Sequence, residues 1–354
     1  MERPALALRA AMTAMRKGMS ASLSEGLQME QDLFSMLLGT GDQKEGMRAF
    51  LEKRKPVFRR KLGRIYAMEK MSKVGVIGAG MMGAEISLSF AMSGHEVFVK
   101  DTSLELAQKG KERLGGVLDR AIKKGVVPAE EKAPVLARIT PTERYGDLKD
   151  VDIAIEAVFE DLETKREVFS QLDRVCKPGC ILATNTSSIP ITLLATSVSR
   201  ERIGRFLGTH FFSPASVMKL VEVIPGLETD EATVTFMMNQ CKGIGKAPIR
   251  VKDVTGFAVN RLLHIMWIEA NRLLEESVAS AEDIDTACRM GLGHPIGPYA
   301  LMDLTSNDLN LQVQEILYDS YGERFRPRPI LKQKVSANHL GKKTGRGWYD
   351  YNRK

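Results

Sequence analysis

The 354-residue sequence has no apolar run approaching the ~20 residues that a membrane-spanning helix needs, so no span and no membrane partner are expected. It has only four cysteines, Cys176, Cys180, Cys241 and Cys288, too few for the disulfide framework of a small secreted protein. Cys176 and Cys180 bracket a Pro-Gly turn as C-x3-C, but no second Cys or His pair follows at zinc spacing. Reduced thiols in an intracellular protein are therefore expected, and no metal site. A secretory apolar region, an internal repeat and a low-complexity tract are all lacking. Histidine is scarce, with five in the chain.

Charge is present but unevenly placed. Residues 1–73 hold fifteen Lys/Arg and eight Asp/Glu, which is the whole net charge of +7; the remainder holds thirty-six of each. The stretch EKRKPVFRRK (52–61) sets six basic residues beside one acid. Such a run can be a nucleic-acid patch, but a solvated helix end is its commoner meaning. The first 24 residues carry Arg3, Arg9, Arg16 and Lys17 against the single acid Glu2, a composition that also fits a mitochondrial presequence.

Three regimes follow one another. Up to about residue 70 the pattern is helical: Leu8, Met12, Met15 and Met19 share one face, and Leu27 to Leu38 reads as a second helix. Thr40 and Gln43 have capping-box spacing, opening a third helix that is expected to bury Met47, Phe50 and Leu51 and to stop at Pro56. From Lys73 to about Lys252 seven short apolar strands alternate with helices, at 74–79, 96–100, 152–158, 181–185, 206–212, 220–224 and 247–251. That alternation indicates a mainly parallel α/β sheet. From Gly256 onward the pattern is helical again.

The first strand runs into Gly78-Ala79-Gly80-Met81-Met82-Gly83, a G-x-G-x-x-G at the start of a helix. The first glycine permits the tight turn, the second lets a pyrophosphate approach the backbone, and the third lets helix and strand pack closely. The second strand ends in Asp101, placed to accept hydrogen bonds from a ribose 2′-hydroxyl and to repel a 2′-phosphate. NAD is therefore favoured over NADP, with Lys100 next door as the one opposing feature. A second glycine pattern at 291–297 follows a helical stretch and is read as helix-end turn chemistry.

His210 closes an apolar strand in GTHFFSP, and Glu222 lies in the next strand. A hairpin-like return would set the carboxylate on the imidazole. Read together with IEAVFEDLETK (155–165), ATNTSSIPIT (183–192), HFFSPASVMKLVEV (210–223), KDVTGFAVNRLL (252–263), GHPIGP (293–298) and GKKTGRGWYDY (341–351), residues 72–354 resemble the L-3-hydroxyacyl-CoA dehydrogenase family.

That resemblance implies an α/β Rossmann-like, doubly wound NAD-binding domain (71–252) and an all-α C-terminal substrate and dimerisation domain (253–354). It implies His210 as the general base, Glu222 as its orienting acid, Ser187 facing the substrate oxygen and Asn260 donating to the 3-keto oxygen. Beyond the fingerprint and Asp101, it assigns Glu156, Lys165, Asn185 and Lys343 to the cofactor and Lys123, or its neighbour Lys124, to the CoA nucleotide. Two departures bear on acyl-CoA affinity: Ser213 stands where the family often has Asn, and Gly115-Gly116 replace a polar CoA contact. The N-terminal helical arm (1–70) is similar over residues 1–61 to the C-terminal helical tail of enoyl-CoA hydratases of the crotonase family, whose catalytic main domain these residues are too few to build. The expected partners are an acyl-CoA thioester, a second copy of the chain, and hydratase or thiolase enzymes, with no nucleic acid. The expected compartment is the cytoplasm, with the mitochondrial matrix as the alternative. Two other readings stay open here, a related dehydrogenase of sugar acids such as gulonate and a non-catalytic NAD-binding scaffold.

Overall fold

The computed structural model describes residues 41–56 and 72–352, with a few isolated positions before residue 41. It divides into two compact units, residues 1–71 and 72–354. In the first unit one helix is described, α1 (Gly41–Leu51). The helices expected at 8–19 and 27–38, the Thr40 cap and the second half of the basic run lie largely or wholly outside the described residues.

The expected apolar face of α1 is not buried. Met47, Phe50 and Leu51 are exposed, and the residue covered is Ala49. The helix ends before Pro56, at a left-handed turn: Lys53 has φ +49°, and the Arg54 N–H reaches back to the Ala49 carbonyl. Of the basic run, Arg54 is held by Glu45 at 2.6 Å and Glu52 at 2.5 Å.

The second unit is built on one eight-stranded sheet. In chain order its first part runs β1 (Lys73–Ile77), α2 (Met81–Met92), β2 (Glu96–Lys100), α3 (Leu104–Lys123), α4 (Lys132–Ala137) and β3 (Ile139–Thr142). Then come β4 (Ile153–Glu156), α5 (Leu162–Val175), β5 (Ile181–Thr184), α6 (Ile191–Ala195), α7 (Arg200–Ile203) and β6 (Phe206–Phe211). The sheet closes with β7 (Leu220–Pro225), α8 (Glu231–Gly243) and β8 (Ala247–Arg250). The strand order is β3-β2-β1-β4-β5-β6-β7-β8. All neighbours are parallel except β6 and β7.

The central strands read as near-continuous runs of buried residues, as strands covered on both faces must. β3, with sequence ITPT, is the strand that the apolar pattern missed. It is an edge strand with only two of its four residues buried, and Pro141 inside it is tolerated because an edge need not donate on its outer side.

The helical C-terminal part comprises α9 (Val259–Glu275), α10 (Ala281–Gly291), α11 (Pro298–Thr305), α12 (Asn307–Tyr321) and α13 (Pro329–Ser336). One cluster there packs around Trp267, Tyr299 and Met302, and another joins Ile268, Leu317 and Phe325. No helix among the described residues is long and apolar enough to cross a membrane.

Candidate active site

The reversal of direction between β6 and β7 makes the centre of the site. In the antiparallel register His210 lies directly opposite Glu222, so both side chains leave the same face of the sheet. His210 Nδ1 is 2.8 Å from Glu222 Oε2. A carboxylate can only accept, so Nδ1 carries the proton and Nε2 is left as an acceptor. Ser187 Oγ lies 3.0 Å from that Nε2. Phe212 and Phe257 stand beside the imidazole, with ring centroids 4.6 and 5.6 Å away.

Glu222 has a second task that sequence reasoning did not see. Its other oxygen, Oε1, accepts the backbone N–H groups of Ala258 and Val259, each at 3.0 Å. These are orphan donors at the start of α9, where a negative charge is favoured. A fully buried carboxylate is thereby satisfied, and Asn260, the next residue, is tied to the dyad through one turn of backbone. The turn depends on two consecutive positive φ values, at Gly256 (+73°) and Phe257 (+47°).

Ser187 is set by the loop that follows β5. Glu160 Oε1 accepts from the Ser187 N–H at 2.9 Å, the Ser188 N–H at 2.9 Å, Thr186 Oγ1 at 2.5 Å and Ser188 Oγ at 2.8 Å. Burial opposes ionisation of Glu160. The charge of Lys165 and the bonds from Thr186 and Ser188 outweigh that and hold its carboxyl below the ordinary range. Glu160 lies in a segment with three other acids, and nothing in the letters tells which one turns toward the serine loop. Asn185 adds a tie to the histidine strand, its Oδ1 accepting the Phe211 N–H at 2.8 Å.

Beneath this loop lies a buried ion pair. Lys165 Nζ is 2.6 Å from Glu156 Oε1 and 3.3 Å from Glu160 Oε2. Glu156 also accepts from Thr184 Oγ1 and the Val158 N–H, both at 2.7 Å. Burial pushes the Glu156 carboxyl up, against the pull of Lys165 and these hydrogen bonds. Both members of the pair are at most 1% exposed, so each spends its bonding capacity inside the protein. The acid of this group that reaches the surface is Glu160, 36% exposed.

The fingerprint loop fits a dinucleotide. Gly78 has φ +99°, and a Cβ there or at Gly83 would collide with backbone, whereas the space beside Gly80 is open. The N-terminus of α2 carries no side-chain cap and no acid in its first turn, which leaves its N–H groups for phosphate. Met81 is exposed, while Met82 packs against the core. Asp101 Oδ2 accepts the Ala79 N–H at 2.7 Å, joining the end of β2 to the fingerprint. Lys100 is turned inward, 7% exposed, with its ammonium 4.0 Å from the centre of the Tyr145 ring.

Lys123 is exposed at the last turn of α3. Lys343 pairs with Asp308 of α12 at 2.9 Å, within the helical part. Ser213 is 3.8 Å from Met81 Sδ, at the mouth of the fingerprint. Cys176, Cys180 and Cys241 are buried, and no group of His, Cys, Asp or Glu among the described residues is placed to hold a metal ion.

With this geometry in view, the comparisons with known proteins are decisive. Residues 73–254 match the 3-hydroxyacyl-CoA dehydrogenase NAD binding domain, and residues 256–351 match the C-terminal domain of the same enzymes. The chain belongs to the 3-hydroxyacyl-CoA dehydrogenase family. It is 42% identical over 282 residues to a 3-hydroxybutyryl-CoA dehydrogenase of Clostridioides difficile, covering 79% of this chain and 100% of that one. It is 38% identical to the mitochondrial hydroxyacyl-coenzyme A dehydrogenase of Rattus norvegicus, covering 78% and 90%. The crystal structure of (S)-3-hydroxybutyryl-CoA dehydrogenase from Ralstonia eutropha superposes with a TM-score of 0.77 at 43% identity, covering 80% and 100%. The chain is thus an NAD-dependent oxidoreductase acting on the CH–OH group of 3-hydroxyacyl-CoA thioesters, an activity of fatty-acid metabolism. Residues 1–61 match the enoyl-CoA hydratase/isomerase family separately, as their resemblance to a crotonase tail implied.

Proposed function

We propose that the chain interconverts a short-chain (S)-3-hydroxyacyl-CoA and its 3-ketoacyl-CoA, with His210 as general base. The observation that carries this is the Ser187–His210–Glu222 relay, in which the unprotonated Nε2 accepts from the serine hydroxyl. In the oxidising direction Nε2 takes the proton of the 3-hydroxyl group, which Ser187 holds in hydrogen-bond reach. Glu222 stabilises the resulting imidazolium and keeps the ring oriented. Asn260, seated by the Glu222–α9 bonds, donates to the oxygen as it becomes a ketone. NAD, when bound, supplies the hydride acceptor. Gly80 and the α2 N-terminus would hold its pyrophosphate and Asp101 its adenosine ribose. The test is the NADH absorbance trace with acetoacetyl-CoA, then with longer 3-ketoacyl-CoA. No oxidation of NADH with any of them would overturn the reading.

Asp101 sets the cofactor preference, and the Lys100 ammonium beside it is turned inward over the Tyr145 ring. The specificity constant for NADH is expected to exceed that for NADPH by roughly tenfold or more, because a 2′-phosphate meets a like charge. Asp101→Ser should narrow that gap. Equal constants in the wild-type protein would mean that the carboxylate does not face the ribose.

A homodimer through the helical part is supported by the exposed side chains of Leu262, Ile265, Met290, Leu292, Leu304 and Leu309. The cytoplasm is the compartment that the bacterial relatives favour. The arm is read as a packing element, suited to a hydratase-type neighbour, because α1 presents Met47, Phe50 and Leu51 to solvent and a lone short helix is marginal in water. Every residue assigned to the chemistry lies after residue 77. Deleting residues 1–66 is therefore expected to keep turnover on acetoacetyl-CoA within a few fold, while association measured by light scattering changes. The full chain should not hydrate crotonyl-CoA. Loss of turnover in a truncated protein that still folds and binds NADH would place the arm in the active site.

A further inference from the structure

Phe159 is the one phenylalanine among the described residues 72–352 that is exposed, at 88%. Its backbone is nonetheless held on both sides. Upstream, the Ala157 N–H bonds the Ile77 carbonyl at 2.7 Å, and the Val158 N–H bonds Glu156. Ala157 also abuts the fingerprint, since a Cβ on Gly78 would strike its carbonyl and one on Gly83 would reach its side chain. Downstream, the Phe159 carbonyl accepts the Asp161 N–H at 2.8 Å, and Glu160 grips the Ser187 and Ser188 N–H groups. A turn pinned this way cannot fold the ring back into the core.

Sheet order says what the ring faces. β4 lies between β1 and β5, and ligands of such sheets sit across the carboxyl ends of the strands. The pyrophosphate site follows β1, and the reacting end of the cofactor must reach Ser187 and His210, which follow β5 and end β6. The segment over the end of β4 therefore lies beside the nicotinamide–ribose half. We propose that Phe159 is a binding residue for that half of the dinucleotide, its ring becoming covered when NADH docks. The proposal rests on the cofactor and on His210 marking the reacting end, and the binding arm of its test needs no turnover.

The experiment titrates full-length protein with NADH by fluorescence, without acyl-CoA, and separately with ADP, which lacks the nicotinamide half. Covering an aromatic ring is strong enough that Phe159→Ala should weaken NADH about tenfold and leave ADP within twofold. Phe159→Leu, which keeps an apolar surface, should recover part of the loss. Because the side chain is exposed, melting temperatures of both variants should match the wild type. Unchanged NADH affinity in Phe159→Ala overturns the proposal. So does an equal loss for ADP, which would move the ring to the other half. A rise confined to the KM for acetoacetyl-CoA at saturating NADH also overturns it, and would give the ring to the thioester.

Discussion

His210→Gln is expected to lower kcat for acetoacetyl-CoA reduction by roughly 10² to 10⁴, the usual range for loss of a general acid–base group. The affinity for NADH should stay within about twofold. The glutamine amide can still donate toward Glu222, so the strand pairing survives, but it cannot shuttle a proton at the position of Nε2. Glu222→Gln should cost turnover by a different route. It removes the charge that stabilises the imidazolium and replaces Oε1 or Oε2 with a donor, which would then oppose either the Ala258 and Val259 N–H groups or the Nδ1–H. That variant should also melt earlier than His210→Gln, because it disturbs the junction with α9. Wild-type turnover in either variant, measured where chemistry limits the rate, would falsify the assignment of the dyad.

The second large effect is on stability. Lys165→Met leaves Glu156, wholly buried, without its partner, and removing one member of a buried pair typically costs roughly 3–5 kcal/mol. For a unit of this size that is a fall in Tm on the order of 10 °C. The loss should depend on pH, with a definite sign. Burial already raises the Glu156 carboxyl above its ordinary value, and losing the ammonium raises it further. A folded-state pKa above the unfolded one means that the folded protein binds the extra proton, so stability falls as pH rises through that interval. The deficit against wild type should therefore widen from pH 5 to pH 8. Glu156→Gln in the same chain should recover part of it. A single variant that melts with the wild type at pH 8 would show that the pair contributes nothing.

The sequence by itself determined the strand–glycine–helix unit, because the apolar run, the glycine spacing and the acid at the end of β2 are all local. It determined the hairpin geometry as well: eleven residues separate His210 from Glu222, and two adjacent apolar strands joined by a short return pair antiparallel. Elsewhere local pattern was a poor guide. β3 escaped notice because an edge strand needs little apolar content, and Met47, Phe50 and Leu51 lie at core spacing yet face solvent. Only the tertiary structure decided which acid of IEAVFEDLETK faces the serine loop, since Glu156 and Glu160 differ in burial and not in chemistry. It alone turned Lys100 onto Tyr145, buried Lys165 between two carboxylates, and paired Lys343 with Asp308. The physical reason is the same in each case. A long charged side chain reaches several partners, and which one it takes depends on how much water the surrounding packing leaves.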